Sequence, residues 1–199
     1  VAITSSKSIT NESSLIISLF ESGVNTLHLR KPKHSRNEIE QILNAVPKKF
    51  HNRIIIHKRP ELIFKFNLKG IHLTKERREK SFKNWLYRLK FKLRNPKLIF
   101  TTTFGSIESL AENTNTFDYI FFGPVFTDKT HYSLSEESGI NVLKNAIESS
   151  GQKVFAMGGI EQERFELLRK AGFSGVVLPK SIWKEEGEIQ EEISPYFAA

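Results

Sequence analysis

The chain of 199 residues has no cysteine. That excludes disulfides, a thiolate nucleophile and any Cys-ligated metal centre, and it suits a reducing compartment. No apolar run approaches the roughly 20 residues of a membrane-spanning helix. The opening VAITSSKSIT carries no signal-peptide core. The expectation is a cytoplasmic protein with no membrane partner. Neither HxH nor HExxH occurs, so no metal ligands are assigned from spacing. No GxGxxG follows the first apolar run, which argues against a dinucleotide fold. No internal repeat and no Pro/Gly/Ser-rich linker divides the chain, and its length suits one core, so residues 1–199 are expected to form a single domain.

What the chain does have is excess positive charge, confined to one place. Residues 75–97, KERREKSFKNWLYRLKFKLRNPK, hold ten Lys and Arg against two Glu, which accounts for the whole net charge of +8. Phe82, Trp85, Leu86, Leu89 and Leu93 recur there at helical spacing. The reading is a helix over 78–94 that packs its apolar stripe on the core and solvates its basic face. A partner, nucleic-acid or membrane surface is the alternative.

Short apolar, β-branched runs alternate with amphipathic ones. Strands are expected at 1–4, 26–30, 53–57, 70–73, 98–103, 119–125, 154–158 and 175–179, with helices near 11–22, 35–46, 60–67, 78–94, 106–115, 138–149, 161–171 and 185–197. Most of these strands are apolar almost throughout, as in a parallel sheet covered on both faces. Eight β-α units in this length favour a (β/α)₈ TIM barrel, in the α/β class, over an open doubly wound sheet.

In such a barrel the working residues lie after the carboxyl ends of the strands. Those positions hold Arg30, Lys31, Lys33, Lys58, Arg59, Lys75, Arg77, Lys129 and Lys180 against Glu76 and Asp128. A cationic rim of this kind attracts anions, phosphate above all. Gly158 and Gly159 follow one strand, and Lys180 and Ser181 follow the next. Bare glycine N–H groups beside a Lys and a Ser suit a phosphate shared between loops seven and eight. For proton transfer or phosphate contact, His57 at a strand end and His131 in the loop after FFGPVF are the candidates. His28 and His72, inside strands, read as core histidines.

The runs GVNTLHLRKP (23–32), GIHL (70–73), DYIFFGPVF (118–126), VFAMGGI (154–160) and AGFSGVVLPKSIW (171–183) resemble, in order and spacing, the thiamine phosphate synthase family with its thiazole-tautomerase-like paralogues. The resemblance implies a (β/α)₈ barrel that joins an aminopyrimidine methyl diphosphate to a thiazole phosphate and releases pyrophosphate. It implies Mg²⁺ as cofactor of an active synthase. Carried over by position, Arg30 matches the family's second-strand Arg, His28 stands for its Gln, and Lys31 is a stand-in for its Lys. His57 and Lys58 occupy the Asn-Asp pair, whose Asp is a Mg²⁺ ligand, and Arg77 occupies the second metal-binding Asp.

On the fifth strand, Thr101-Thr102-Thr103 lacks the tautomerase His, so that chemistry is not expected. Lys129, Thr130 and His131 fall in the family's phosphate-covering loop. The resemblance thus assigns catalysis to Arg30, Lys31, His57, Lys58, Thr130 and His131, phosphate binding to Gly158, Gly159, Lys180 and Ser181, and further substrate contacts to His28, Thr101, Thr103 and Lys129.

Three functions are carried forward. The first is the synthase. The second is a paralogue that binds a phosphorylated thiazole or thiamine phosphate without making the bond. The third is a barrel acting through helix 78–94 on a partner or nucleic acid. Phosphorylated pyrimidine and thiazole are the expected ligands, nucleic acid is not expected, and a homo-oligomer is left open.

Overall fold

The computed structural model describes residues 1–126, 137–178 and 180–183. The expected helix at 185–197 and the loop residues Lys129, Thr130 and His131 lie outside the described residues, as do the side chains of Lys180 and Ser181. The elements are β1 (Ala2–Ile3), α1 (Glu12–Glu21), β2 (Leu27–Leu29), α2 (Arg36–Ala45), β3 (Ile54–Ile56), α3 (Leu62–Phe66), β4 (Gly70–Leu73), α4 (Lys75–Arg78), α5 (Ser81–Arg94), β5 (Ile99–Phe104), α6 (Ile107–Ala111), β6 (Tyr119–Phe122), α7 (Glu137–Ser150), β7 (Val154–Ala156), α8 (Phe165–Lys170) and β8 (Gly175–Val176). Short 3₁₀ turns cover Lys48–Arg53, Gln162–Arg164 and Lys180–Trp183. The eight strands form one sheet in sequence order, and every assigned ladder is parallel. This is the strand order of a (β/α)₈ TIM-barrel fold, as the eight alternating runs predicted.

The chain packs as two compact units. The first comprises Val1–His72, Lys90–Ile99 and the chain from Lys180. Its strands are apolar because both faces are covered: Leu27, Leu29, Ile54, Ile55 and Ile56 are all buried. Helix α2 starts at a capping box in which Ser35 accepts from the Glu38 N–H and Glu38 accepts from the Ser35 N–H. In the last turn of the described chain, Trp183 is buried and its indole N–H donates to the Ile3 carbonyl at 2.7 Å, fastening residues 180–183 to β1.

The second unit comprises Leu73–Leu89 and Phe100–Pro179. Here β6 ends at a cis Gly123-Pro124 bond. The chain then stays alongside the segment after β7, with Val125 N–H donating to the Met157 carbonyl and Phe126 N–H to that of Gly158.

Helix α5 forms as the periodicity predicted, but it presents the opposite face. Phe82, Trp85, Leu86, Leu89 and Leu93 are exposed, Leu93 to 76%. The inward positions are Asn84, Tyr87, Arg88 and Phe91, which share the same i, i+3, i+4, i+7 spacing. Phe91 stacks on Phe64 with ring centroids 5.5 Å apart, and the Arg88 guanidinium sits 5.2 Å from the centroids of both Phe100 and Phe117. Two apolar-compatible stripes share this helix about half a turn apart. The cation–π seat of Arg88 decides between them, because it gives a charged residue an aromatic lining.

Candidate active site

In the first unit, the ladder aligns His28 with Ile55 and Ile55 with Gly70. One pleat further on, the same register sets Arg30 beside His57 and His57 beside His72. Because side chains alternate with period two, His28, Arg30, His57 and His72 share one face of the sheet. The backbone of this strand end is fixed: Arg30 N–H donates to the Thr4 hydroxyl at 2.9 Å, and His57 N–H donates to the Leu29 carbonyl.

Three imidazoles therefore cluster. His28 Nδ1 and His57 Nε2 are 3.0 Å apart. His57 and His72 stack at 4.0 Å between centroids, and His28 meets both rings edge-on, at 5.1 and 5.4 Å. His28 and His72 are buried, and His57 is half-buried. Desolvation by burial, reinforced by the neighbouring His72, holds His28 and His57 well below the usual histidine range, so both rings are neutral at pH 7.

The cations of the rim separate into two kinds. Arg30 and Lys58 are exposed, and the Lys58 ammonium donates to the Pro32 carbonyl at 2.6 Å. Lys31 turns inward instead. It is 1% exposed, 2.6 Å from Glu12 Oε1, and it donates to the Lys7 carbonyl. Lys31 is committed to an internal ion pair at the first turn of α1. Burial nevertheless pushes the Glu12 carboxyl above its usual range, against the opposing pull of Lys31.

In the second unit, Thr101 and Thr103 share one face of β5, and Thr102 takes the other. Thr102 donates to the Leu73 carbonyl, and Arg78 donates to the Thr102 hydroxyl and the Thr103 carbonyl. Thr101 is buried, and Thr103 is partly exposed. Arg77 is exposed and lies over the Tyr87 ring at 4.1 Å; with Thr74, Glu76, Lys80, Lys83 and Asn84 it lines a cleft of about 300 Å³. Thr74 holds the exposed Glu76 carboxyl below the usual range.

The paired glycines have a packing reason of their own. A Cβ on Gly158 would lie 2.9 Å from Pro124 Cβ, and one on Gly159, at φ +67°, would strike the Phe126 carbonyl. Residues 124–126 thus lie directly on this turn, and Gly159 itself is exposed.

The spacing search for metal ligands found none, yet strand pairing brings together three imidazole ligand atoms within 4.8 Å of one another. Separations of 29 and 15 residues carry no local signal. Aligning the three strands by their ends would have revealed the set, with His57 at one strand's end and His28 and His72 one or two residues inside theirs.

Comparison with known proteins places this geometry. The family model for thiamine monophosphate synthase matches residues 1–182. The thiamine-phosphate synthase of Picrophilus torridus is 30% identical over 166 residues, covering 81% of this chain and 76% of that protein. The one from Citrobacter koseri is 27% identical over 175 residues, covering 84% and 79%. The crystal structure of thiamine phosphate pyrophosphorylase from Bacteroides thetaiotaomicron superposes with a TM-score of 0.73 at 24% identity, covering 98% of this chain and 94% of that one, which establishes the fold. With eight parallel strands in sequence order and a family match running from β1 to the turn after β8, the chain belongs to the thiamine monophosphate synthase family.

Proposed function

We propose that this chain is a cytoplasmic, single-domain transferase that joins an aminopyrimidine methyl diphosphate to a thiazole phosphate. The bond from the pyrimidine methylene carbon to the diphosphate oxygen breaks, and its electron pair leaves with the pyrophosphate. The thiazole nitrogen then supplies the pair for the new C–N bond. The observation that carries this reading is the family match over residues 1–182.

Within it, Arg30 is the residue for the leaving diphosphate, since an exposed guanidinium at a strand end offers a bidentate fork to phosphoryl oxygens. Lys58 adds a second cation. His57 and His28, both neutral, can donate or accept a hydrogen bond without adding charge. Thr101 and Thr103 offer hydroxyls as further substrate contacts. Lys129, Thr130 and His131 are assigned further contacts with the phosphates by the family resemblance alone. Gly158, Gly159, Lys180 and Ser181 take the thiazole phosphate. Holding two rings in line and neutralising a departing anion are the main demands of such a reaction.

Mg²⁺ does not fit the side chains at its two family positions, both of which lie among the described residues. The family resemblance gives its ligands to two aspartates, and those positions are Lys58 and Arg77, whereas Mg²⁺ takes oxygen ligands. No step here is routed through it. That same pair of replacements favours a second reading, in which the chain binds a phosphorylated thiazole or thiamine phosphate without forming the bond.

The test is pyrophosphate release from the two substrates with Mg²⁺ and with a chelator. Turnover supports the transferase. A folded protein that binds thiazole phosphate and releases no pyrophosphate supports the second reading. Homo-oligomerisation and nucleic-acid binding through helix 78–94 are separable by sedimentation and by salt-dependent binding.

A further inference from the structure

We propose that His28, His57 and His72 form a binding site for one divalent transition-metal ion of the zinc class. The three rings come from adjacent strands β2, β3 and β4, so the sheet itself sets their spacing. Neutral imidazole is a ligand for Zn²⁺, Co²⁺, Ni²⁺ and Cu²⁺ and a poor one for Mg²⁺. Burial lowers the affinity of His28 and His57 for a proton, which reduces the proton competition that weakens metal binding near neutral pH.

The geometry is close to what a tetrahedral ion requires. With metal–nitrogen bonds of about 2.0–2.1 Å, the ligand nitrogens of such a site stand about 3.3 Å apart. His28 Nδ1 and His57 Nε2 are already 3.0 Å apart. His72 completes the set within 4.8 Å, and its stacked arrangement on His57 must splay to aim both nitrogens at one point. On binding, the proton now shared by His28 and His57 moves to the outer nitrogen of whichever ring carries it.

The other two histidines of the described residues, His51 and His34, do not compete on equal terms. His51 has both ring nitrogens against main-chain carbonyls of Leu43, Val46 and Phe66, so its ring is held by the main chain away from the other imidazoles. His34 lies beside the Ser8 hydroxyl, within electrostatic reach of Glu12 and Glu38, and among the described residues it belongs to no group of three close ligand atoms. His131 lies outside the described residues.

Three neutral ligands leave the ion its full double charge and one open position. Arg30 and Lys69 act electrostatically on these rings, and their positive field favours an anionic oxygen there, either hydroxide or a phosphate. A chain whose family positions for hard-oxygen Mg²⁺ ligands are cations would thus hold a borderline ion on nitrogen instead.

The experiment is a titration of the chelator-treated full-length protein with Zn²⁺ and with Co²⁺, without substrate, so that it is independent of whether the transferase reading holds. One equivalent of metal should bind. The Co²⁺ form should give the intense visible bands of tetrahedral coordination, and X-ray absorption of the Zn²⁺ form should show at least three nitrogen ligands and no sulfur. His57→Ala should weaken binding by more than about a hundredfold, beyond the roughly 10–100-fold that losing only an outer hydrogen-bond partner costs. His28→Gln, which keeps a polar side chain of similar length, should do the same if His57→Ala fails to fold. His34→Ala should bind as the parent does. Absence of stoichiometric binding in the parent would overturn the proposal, as would binding unchanged by loss of His28 or His57.

Discussion

Replacing Lys31 by Met separates a structural cation from a ligand-binding one. The Lys31 ammonium is shut away from solvent, 2.6 Å from Glu12 Oε1, with the Lys7 carbonyl as its second partner. Lys31→Met keeps the aliphatic volume and leaves the Glu12 carboxylate buried without its counter-charge. Removing one member of a buried pair costs about 3–5 kcal/mol, whereas replacing both by apolar residues is often close to neutral. Urea unfolding followed by circular dichroism should therefore show a loss of about 3 kcal/mol or more for Lys31→Met. Glu12→Leu combined with Lys31→Met should recover to within about 1 kcal/mol of the parent. Pyrophosphate affinity, measured by calorimetry on the folded variants, should change little. A variant with parental stability and strongly reduced pyrophosphate binding would refute this reasoning and return Lys31 to the rim.

Three further outcomes follow from the same structure. Glu12 carries a raised carboxyl pKa, so the folded protein holds that proton more firmly than the unfolded chain does. Its ionisation costs stability in full at neutral pH, and the cost is recovered as pH falls through the raised value toward 4.5. The deficit of Lys31→Met should accordingly shrink on acidification in a pH series of urea midpoints; a deficit constant from pH 7 to 5 would contradict it. Arg30→Ala should weaken pyrophosphate binding about tenfold or more, the worth of a charge-assisted hydrogen bond, and unchanged affinity would remove Arg30 from the site. On α5, Phe91→Ala should cost about 3 kcal/mol in urea unfolding, while Leu93→Glu should stay within about 0.5 kcal/mol; the reverse order would mean that the exposed stripe is the packed one.

The strands were legible because backbone propensity and burial act locally. A run such as Arg53-Ile54-Ile55-Ile56-His57 is bounded by its own polar ends, and β3 spans the three isoleucines. The expected strand at 119–125 closed early, at Phe122, because Pro124 has no N–H with which to continue the ladder. Helix α5 was legible as a helix and illegible as to face, since Asn84, Arg88 and Phe91 look no more inward in sequence than Leu86, Leu89 and Leu93. Lys31 failed in the same way: its burial depends on Glu12, 19 residues earlier on another element. His28, His57 and His72 were each visible, but their meeting is a property of strand register, and register is set by the whole sheet.

The indole of Trp183 has a spectroscopic consequence. The chain has two tryptophans: Trp85, 57% exposed among the basic residues of α5, and Trp183, 6% exposed with its N–H on the Ile3 carbonyl. Iodide, an anion drawn to the Lys and Arg around Trp85, will quench that emission and leave Trp183 as the residual blue-shifted signal. One fluorophore then reports solely on whether the turn at residues 180–183 stays fastened to β1. The attachment of that segment, including any loosening when ligands bind, can be followed in unlabelled protein in real time.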